Sequence, residues 1–167
     1  LIPRSATESL ADYASQNIQP ESRILDLGTG SGSIALALPA VAEHKFTLPA
    51  SDVFNIALDT APANPHSNNL SIQFILTDCF EAISGEYEAI LCNPPYIAIS
   101  DADVEAGVHK YEPHLALYSG PDGLQAIREI IREAPRYLAQ SGTLAIEHGW
   151  QQADDVRKLF QNAGFIK

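Results

Sequence analysis

Hydrophobic and polar positions along this chain fall into two alternating kinds of segment. Arg23-Ile24-Leu25-Asp26-Leu27 and Tyr87-Glu88-Ala89-Ile90-Leu91-Cys92 are short, nearly continuous apolar runs. Runs of that length, stopped by glycine or proline, read as strands buried on both faces. Lys45 to Ala50, Ser71 to Leu76 and Thr143 to Glu147 read as three further strands. Helical patterns lie between them. Ser5-Ala6-Thr7-Glu8 is a capping box that opens a helix running to about Asn17. A second helix is expected from about Gly32 to Ala42, and a crossover helix over Val53 to Asn69. Leu124 to Leu138 places Ile127, Ile130, Ile131 and Ala134 on one face, with Pro135 bending or shortening the helix. Asp154 to Asn162 is expected to be helical and to end at Gly164. Ile97 to Gly123 reads as a long loop, a length usually either functional or disordered. Strands alternating with helices predict a single α/β domain over residues 1–167, with a doubly wound, mostly parallel sheet.

Charge narrows the function. The chain of 167 residues carries 21 acidic and 10 basic side chains, a net charge of −11. A binder of phosphate backbones needs a basic face, and the basic residues here are scattered, so nucleic acid is disfavoured as a partner. No apolar run approaches the roughly 20 residues that span a bilayer, and no signal-peptide pattern is visible. A cytoplasmic, monomeric enzyme domain is expected. Cys79 and Cys92 form neither a metal pattern nor a disulfide framework, and Cys92 reads as packing. The histidines have no metal-ligand spacing, so no metal site is expected. The chain has no methionine, even at position 1, which suggests an excised segment or an incomplete gene product.

Two motifs carry candidate chemistry. The first strand runs into Gly28-Thr29-Gly30-Ser31-Gly32, whose glycines let a ligand approach the backbone and the following helix N-terminus. Asp52 lies about 20 residues beyond Gly32, where dinucleotide folds place a carboxylate on ribose hydroxyls. Asp26 either faces the amino group of a cofactor or caps the turn. The spacing leans away from Gly-x-Gly-x-x-Gly, and NAD, FAD and S-adenosylmethionine proteins all use turns of this kind. The second motif is Asn93-Pro94-Pro95-Tyr96, at the end of the Tyr87–Cys92 run. The Asn93 amide oxygen and the Pro94 carbonyl can each accept an N–H from one substrate NH2 group. The prolines restrict the backbone that presents them, and Tyr96 offers a flat face for a planar amide or base. The plain alternative for this motif is a strand end followed by a proline turn.

Together these motifs resemble the class I S-adenosylmethionine-dependent methyltransferases. More closely, the chain resembles the HemK family, the protein-(glutamine N5) methyltransferases that modify peptide-chain release factors. The resemblance covers nearly the whole chain. It runs from Leu1-Ile2-Pro3-Arg4 through Asp26–Gly32, Asp52, Thr77-Asp78-Cys79-Phe80 and Asn93–Tyr96. It continues through Tyr111-Glu112-Pro113 and Gly120-Pro121-Asp122-Gly123-Leu124 to Glu147-His148-Gly149-Trp150-Gln151-Gln152. The resemblance implies S-adenosylmethionine as cofactor and a release-factor glutamine as substrate. It implies cofactor contacts from Asp26, Gly28, Thr29, Gly30, Ser31, Gly32, Asp52, Asp78, Phe80 and Asn93, and catalytic contacts from Asn93, Pro94, Pro95 and Tyr96. Phe80 matches the position that packs on adenine, with a core aromatic as the other reading. Asp78 lies near the adenine amino group or only caps a turn. His148 reads as a structural hydrogen-bonding group rather than a base.

The chain departs from the family in three places. Ala61-Pro62-Ala63-Asn64-Pro65-His66 puts prolines where a helix is expected, and Pro49 interrupts a strand. The N-terminal helical domain of the family is expected to be absent, as is its final β-hairpin. The residues also leave other functions open. These are glutamine methylation of a ribosomal protein, adenine-N6 methylation of nucleic acid, a non-catalytic cofactor-binding module and, least favoured, an NAD-linked oxidoreductase.

Overall fold

Ile24-Leu25-Asp26-Leu27 is buried at every position, as expected of a strand with neighbours on both sides. It is strand β1 of a computed structural model that describes residues 5–30, 32–41, 46–53, 70–99 and 117–166. The described elements are α1 (Ser5–Asn17), β1 (Ile24–Leu27), α2 (Ser33–Val41), β2 (Phe46–Asp52), β3 (Leu70–Leu76), β4 (Tyr87–Cys92), α3 (Gln125–Glu133), β5 (Leu138–Ile146) and α4 (Ala153–Asn162). They group into two compact units, Leu1–Asn93 with Ala134–Glu147, and Pro94–Glu133 with His148–Lys167.

The first unit holds the whole sheet. Its order is β3-β2-β1-β4-β5, and every pairing is parallel. The chain winds from β1 outward to β3 and then returns to β4 on the other side of β1, the reversal of a doubly wound sheet. Helices α1 and α2 cover one face. Ala11, Ala14 and Ile18 of the first helical segment and Ile34, Ala35 and Leu38 of α2 pack with Ile24, Leu48, Ala50, Ala89 and Leu91. Alanines at the α1 contact keep that helix close to its partners.

Several boundaries differ from the sequence reading, each for a local reason. The helix expected over Leu124–Leu138 stops at Glu133 and tightens into a 3-10 turn, Ala134–Arg136. Pro135 lacks the N–H that an α-helix needs there and disfavours the α conformation of the residue before it. The strand expected at Thr143–Glu147 already begins at Leu138. Its register jumps from Tyr87↔Leu138 to Ala89↔Thr143. Ser141 with φ 65 marks the bulge, so Ser141-Gly142 kinks the strand instead of ending it. Strand β2 extends to Asp52, two residues beyond the expected end. Pro49 sits inside it. Thr47 donates its N–H to the Ser22 carbonyl, so by the period of two Pro49 would donate on the same side and cannot. The β1–β2 ladder accordingly shows pairing at Arg23↔Thr47 and resumes at Asp26↔Ala50. The helix expected over Val53–Asn69 and the prolines at 62 and 65 lie outside the described residues, apart from Val53 itself. So do Ser31, the Tyr111-Glu112-Pro113 motif and most of the long loop.

The second unit contains α3, α4 and the segment after β4. Ile127, Ile130 and Ile131 of α3 and Val156 of α4 are buried. Phe160 meets Phe165 edge to face at 5.2 Å, closing the end of α4.

Candidate active site

Parallel strands deliver their C-terminal ends to one edge of the sheet, and the register says which residues arrive together. Leu27 pairs with Ser51 on one side and with Cys92 on the other. Gly28, Asp52 and Asn93, one step further on, therefore stand level around β1. Asp26, Asp52 and Asn93 also continue the face that carries Ile24, Ala50 and Leu91, because side chains alternate along a strand.

The glycine turn is built by its own hydrogen bonds. Thr29 donates its N–H to the Ser51 carbonyl at 2.8 Å, and Gly32 donates to the Thr29 carbonyl at 2.8 Å. The Thr29 hydroxyl donates to Asp26 Oδ2 at 2.6 Å. The Gly30 N–H donates to Asp52 Oδ2 at 2.6 Å, so the carboxylate ending β2 is tied to the turn after β1. Gly28 and Gly30 have φ of 72 and 55, and a Cβ on either would meet no atom within 4 Å. Their conformation calls for glycine, and the space beside them is open.

Asp26 is a strongly perturbed carboxyl at this edge. It is 0% exposed. Its Oδ1 has no hydrogen-bond partner among the described residues. Burial pushes its carboxyl up to about 7, opposed by the Thr29 hydroxyl and the Ala35 backbone and aided by the charge of Asp52. An orphaned buried carboxylate oxygen beside an open, glycine-lined turn fits a cationic group of a ligand. Cys92 is also buried, and burial, followed by the charge of Asp26, pushes its thiol well up, which suits packing rather than nucleophilic chemistry.

After β3, Thr77 rather than Asp78 caps the next turn, since its hydroxyl accepts the Ala82 N–H at 2.9 Å. Asp78 is exposed. Phe80 is 4% exposed. It stacks on Tyr137 with ring centres 4.6 Å apart, so one of its faces has a core partner. Asn93 is half-buried and closes the first unit.

Pro94, Pro95 and Tyr96 open the second unit. Pro94 is buried, and Pro95 and Tyr96 are half-buried. The Ile97 N–H donates to the Leu117 carbonyl at 3.1 Å, the Ser119 N–H to the Ile97 carbonyl at 2.9 Å, and the Ile99 N–H to the Gly120 carbonyl at 3.0 Å. A groove of about 670 Å³ opens beside Pro95, lined by Ile99, Tyr118, Gln125 and Glu129, within the size range of ligand pockets. Gln152 Nε2 donates to the Tyr96 carbonyl at 2.9 Å. That bond joins residues 56 positions apart, and the sequence reading had no signal for it. The Asp26–Thr29 bond, in contrast, was visible in principle as a carboxylate and a hydroxyl three residues apart in a turn. His148 Nδ1 lies 2.9 Å from the Gly149 carbonyl, the structural role expected of it. Among the described residues no group of three or more His, Cys, Asp or Glu side chains is arranged to hold a metal. Nor is any described helix long and apolar enough to cross a membrane.

A family profile described as "Methyltransferase small domain" matches residues 5–110. A protein of Xylella fastidiosa named release factor glutamine methyltransferase is 42% identical over 99% of this chain and 62% of its own length. A protein of the same name from Streptococcus pneumoniae is 42% identical over 96% of this chain and 58% of its own. The chain thus spans about three fifths of the length of these curated relatives. Solved structures agree on the fold. A complex from E. cuniculi, described as responsible for methylation of the eRF1 translation termination factor, aligns with a TM-score of 0.66 at 19% identity, covering 98% of this chain and 84% of that one. A ribosomal-protein methylase from Lactobacillus delbrueckii subsp. bulgaricus aligns with a TM-score of 0.62 at 15% identity, covering 94% and 66%. The sheet order and these neighbours make the fold a Rossmann-like, class I methyltransferase fold.

Proposed function

The chain belongs to the methyltransferase small domain family, and we propose that it is the catalytic portion of an enzyme that methylates a glutamine side chain of a peptide-chain release factor, using S-adenosylmethionine. The observation that carries this reading is the level placement of Gly28, Asp52 and Asn93 around the C-terminal end of β1. The names of relatives at 42% identity support the choice of substrate. A release-factor substrate would put the reaction in the cytoplasm, where translation terminates.

In this reading Asp26 and the Gly28–Gly32 turn hold the amino-acid end of the cofactor. Asp52 accepts its ribose hydroxyls, and Asp78 and Phe80 flank its adenine. Bound there, the cofactor supplies a sulfonium methyl that is already activated. The chain's own task is orientation. An amide nitrogen is a poor nucleophile, because its lone pair is delocalised into the carbonyl. Asn93 Oδ1 and the Pro94 carbonyl each accept one N–H, turning the nitrogen toward the methyl and stabilising the positive charge that develops on it. Pro95 holds the backbone between them and Tyr96, whose ring stacks on the flat amide. The released proton passes to water, and no side chain needs to act as base.

Replacing Asn93 tests the reading. Asn93→Ala is expected to abolish methyl transfer to a release factor while cofactor affinity, measured by calorimetric titration, falls far less, because only one of the proposed cofactor contacts is lost. Retained transfer would refute the assignment, and a ribosomal protein as parallel substrate separates the two glutamine-methylating alternatives.

A further inference from the structure

We propose that Gln152 is a positioning residue for the substrate-holding loop, clamping the Tyr96 carbonyl and, through it, the Pro94 carbonyl and the Tyr96 ring. The inference rests on the function proposed for Asn93–Tyr96. It gives a role to two motifs that this function leaves unused, Gly120-Pro121-Asp122-Gly123-Leu124 and His148-Gly149-Trp150-Gln151-Gln152.

The geometry of the clamp is closed. The Gly149 N–H donates to Gln152 Oε1 at 2.9 Å, and the Gln152 N–H donates to the Gly149 carbonyl at 2.9 Å. With Oε1 taken by a donor, Nε2 must point the other way, where it donates to the Tyr96 carbonyl at 2.9 Å and approaches the Asp122 carbonyl at 3.4 Å. A flipped amide would put two acceptors on Oε1 and a donor on Nε2, so the orientation is set by its partners. The Asp122 turn is itself stiff. Arg128 donates to both carboxylate oxygens, at 3.1 and 2.5 Å, and the Leu124 N–H donates to Oδ1 at 3.1 Å. Those bonds pull the Asp122 carboxyl down to about 2. Gly123 leaves room for the clamp. Its φ is 74, and a Cβ there would collide with the Tyr96 carbonyl oxygen and sit 2.8 Å from Gln152 Nε2.

The chemistry explains why a clamp is needed. Two prolines fix φ at Pro94 and Pro95 and restrict ψ at Asn93 and Pro94, but ψ of Pro95 and both angles of Tyr96 stay free. The far end must be held if the acceptors are to keep a geometry in which an error of about 1 Å costs about a hundredfold in rate. A side-chain amide suits this place, because it must donate to one partner and accept from another at once.

Gln152→Glu keeps the size and the acceptor for Gly149 but puts an acceptor against two carbonyls. In the protein assayed with a release factor, kcat is expected to fall at least about tenfold, while the cofactor dissociation constant stays within about twofold. Gly123→Ala crowds the same carbonyl. Its effect on kcat is expected to be less than additive with that of Gln152→Glu, since both release one contact. Hydrogen exchange is expected to quicken at the Ile97 and Ile99 amides in Gln152→Glu, with β4 amides unchanged. An unchanged kcat, or cofactor affinity falling in parallel with kcat, would overturn the proposal. If the parent protein methylates no release factor, the proposed function fails by itself. Exchange at Ile97 and Ile99 then decides the clamp, and unchanged exchange overturns it.

Discussion

Asp26→Asn removes a charge whose cost to the fold and value to the site have opposite signs. Burial raises the Asp26 carboxyl from 3.8 to about 7. In the folded state it therefore binds a proton that the unfolded chain has already lost between about pH 4 and pH 7. Its contribution to stability is fully present below about pH 4 and is lost as pH rises through about 7. The gap corresponds to about 4 kcal/mol as an upper figure. The asparagine variant escapes that loss but brings a buried amide NH2 to a place where Oδ1 has no partner, a cost of about 1–3 kcal/mol. At pH 8 the variant is therefore expected to be more stable by about 1–3 kcal/mol, read as a higher urea midpoint. Cofactor binding should move the other way. A cationic amino group against Asp26 requires the carboxylate, so binding at pH 6 should release about 0.9 proton and at pH 7 about 0.5. The proton count follows from calorimetry in buffers of different ionisation enthalpy. Affinity should weaken about tenfold per pH unit below 6 and level off near 8, where the cofactor's own amino group begins to lose its proton. Asp26→Asn should flatten this profile. A pH-independent affinity in the parent protein, or the same slope in the variant, would refute an ionic role for Asp26.

Further perturbations test the neighbouring residues. Asp52→Ala should weaken cofactor binding by about 1.5–3 kcal/mol, roughly tenfold to a hundredfold by titration, because it removes both the proposed ribose acceptor and the partner of the Gly30 N–H. Gly30→Ala, forced to φ 55 in open space, should cost about 1 kcal/mol of stability by denaturant melting and weaken the cofactor further by putting a methyl into its place. Leu91→Ala, at a side chain with 0% exposure, should destabilise the sheet by about 2–5 kcal/mol, with methyl transfer per folded molecule nearly unchanged.

Much of this architecture could be read from single segments. Strands β1 and β4 announce themselves because they are buried on both faces and therefore nearly continuously apolar. The turn after β1 announces itself because Gly28 and Gly30 occupy positive φ. What escaped depends on partners distant in sequence. Ser141-Gly142 looks like a turn until Tyr87 and Ala89 of β4 pair on either side of the bulge. Pro49 argues against a strand until the missing N–H is seen to fall at a gap in one ladder while the other, with β3, stays complete. Phe80 could be assigned to either a ligand or the core, and only the stack on Tyr137 gives it a described partner. Gln152 shows locally only its bond to Gly149 three residues back, while its ties to Tyr96 and Asp122 are made by folding.

The placement of Asp26 ties stability to chemistry more tightly than any other feature of this sheet. A leucine there would extend the Ile24–Leu91 face, and Asp26 instead leaves one oxygen unpartnered at a fully buried position. Such a group is costly wherever it cannot be used. It lies on the central strand, two residues before the level shared by Gly28, Asp52 and Asn93, at the point where the winding direction reverses. In doubly wound sheets generally, ligands bind beside such a reversal. The Thr29 hydroxyl and the Asp52–Gly30 bond then hold the carboxylates where the opening is. On the proposed function, a charge held in advance need not be organised when the cofactor arrives, and that preorganisation would offset an otherwise unfavourable burial. On the proposed function the same logic extends to the loop after Asn93, where the prolines and the proposed Gln152 clamp would set the acceptors before the substrate enters.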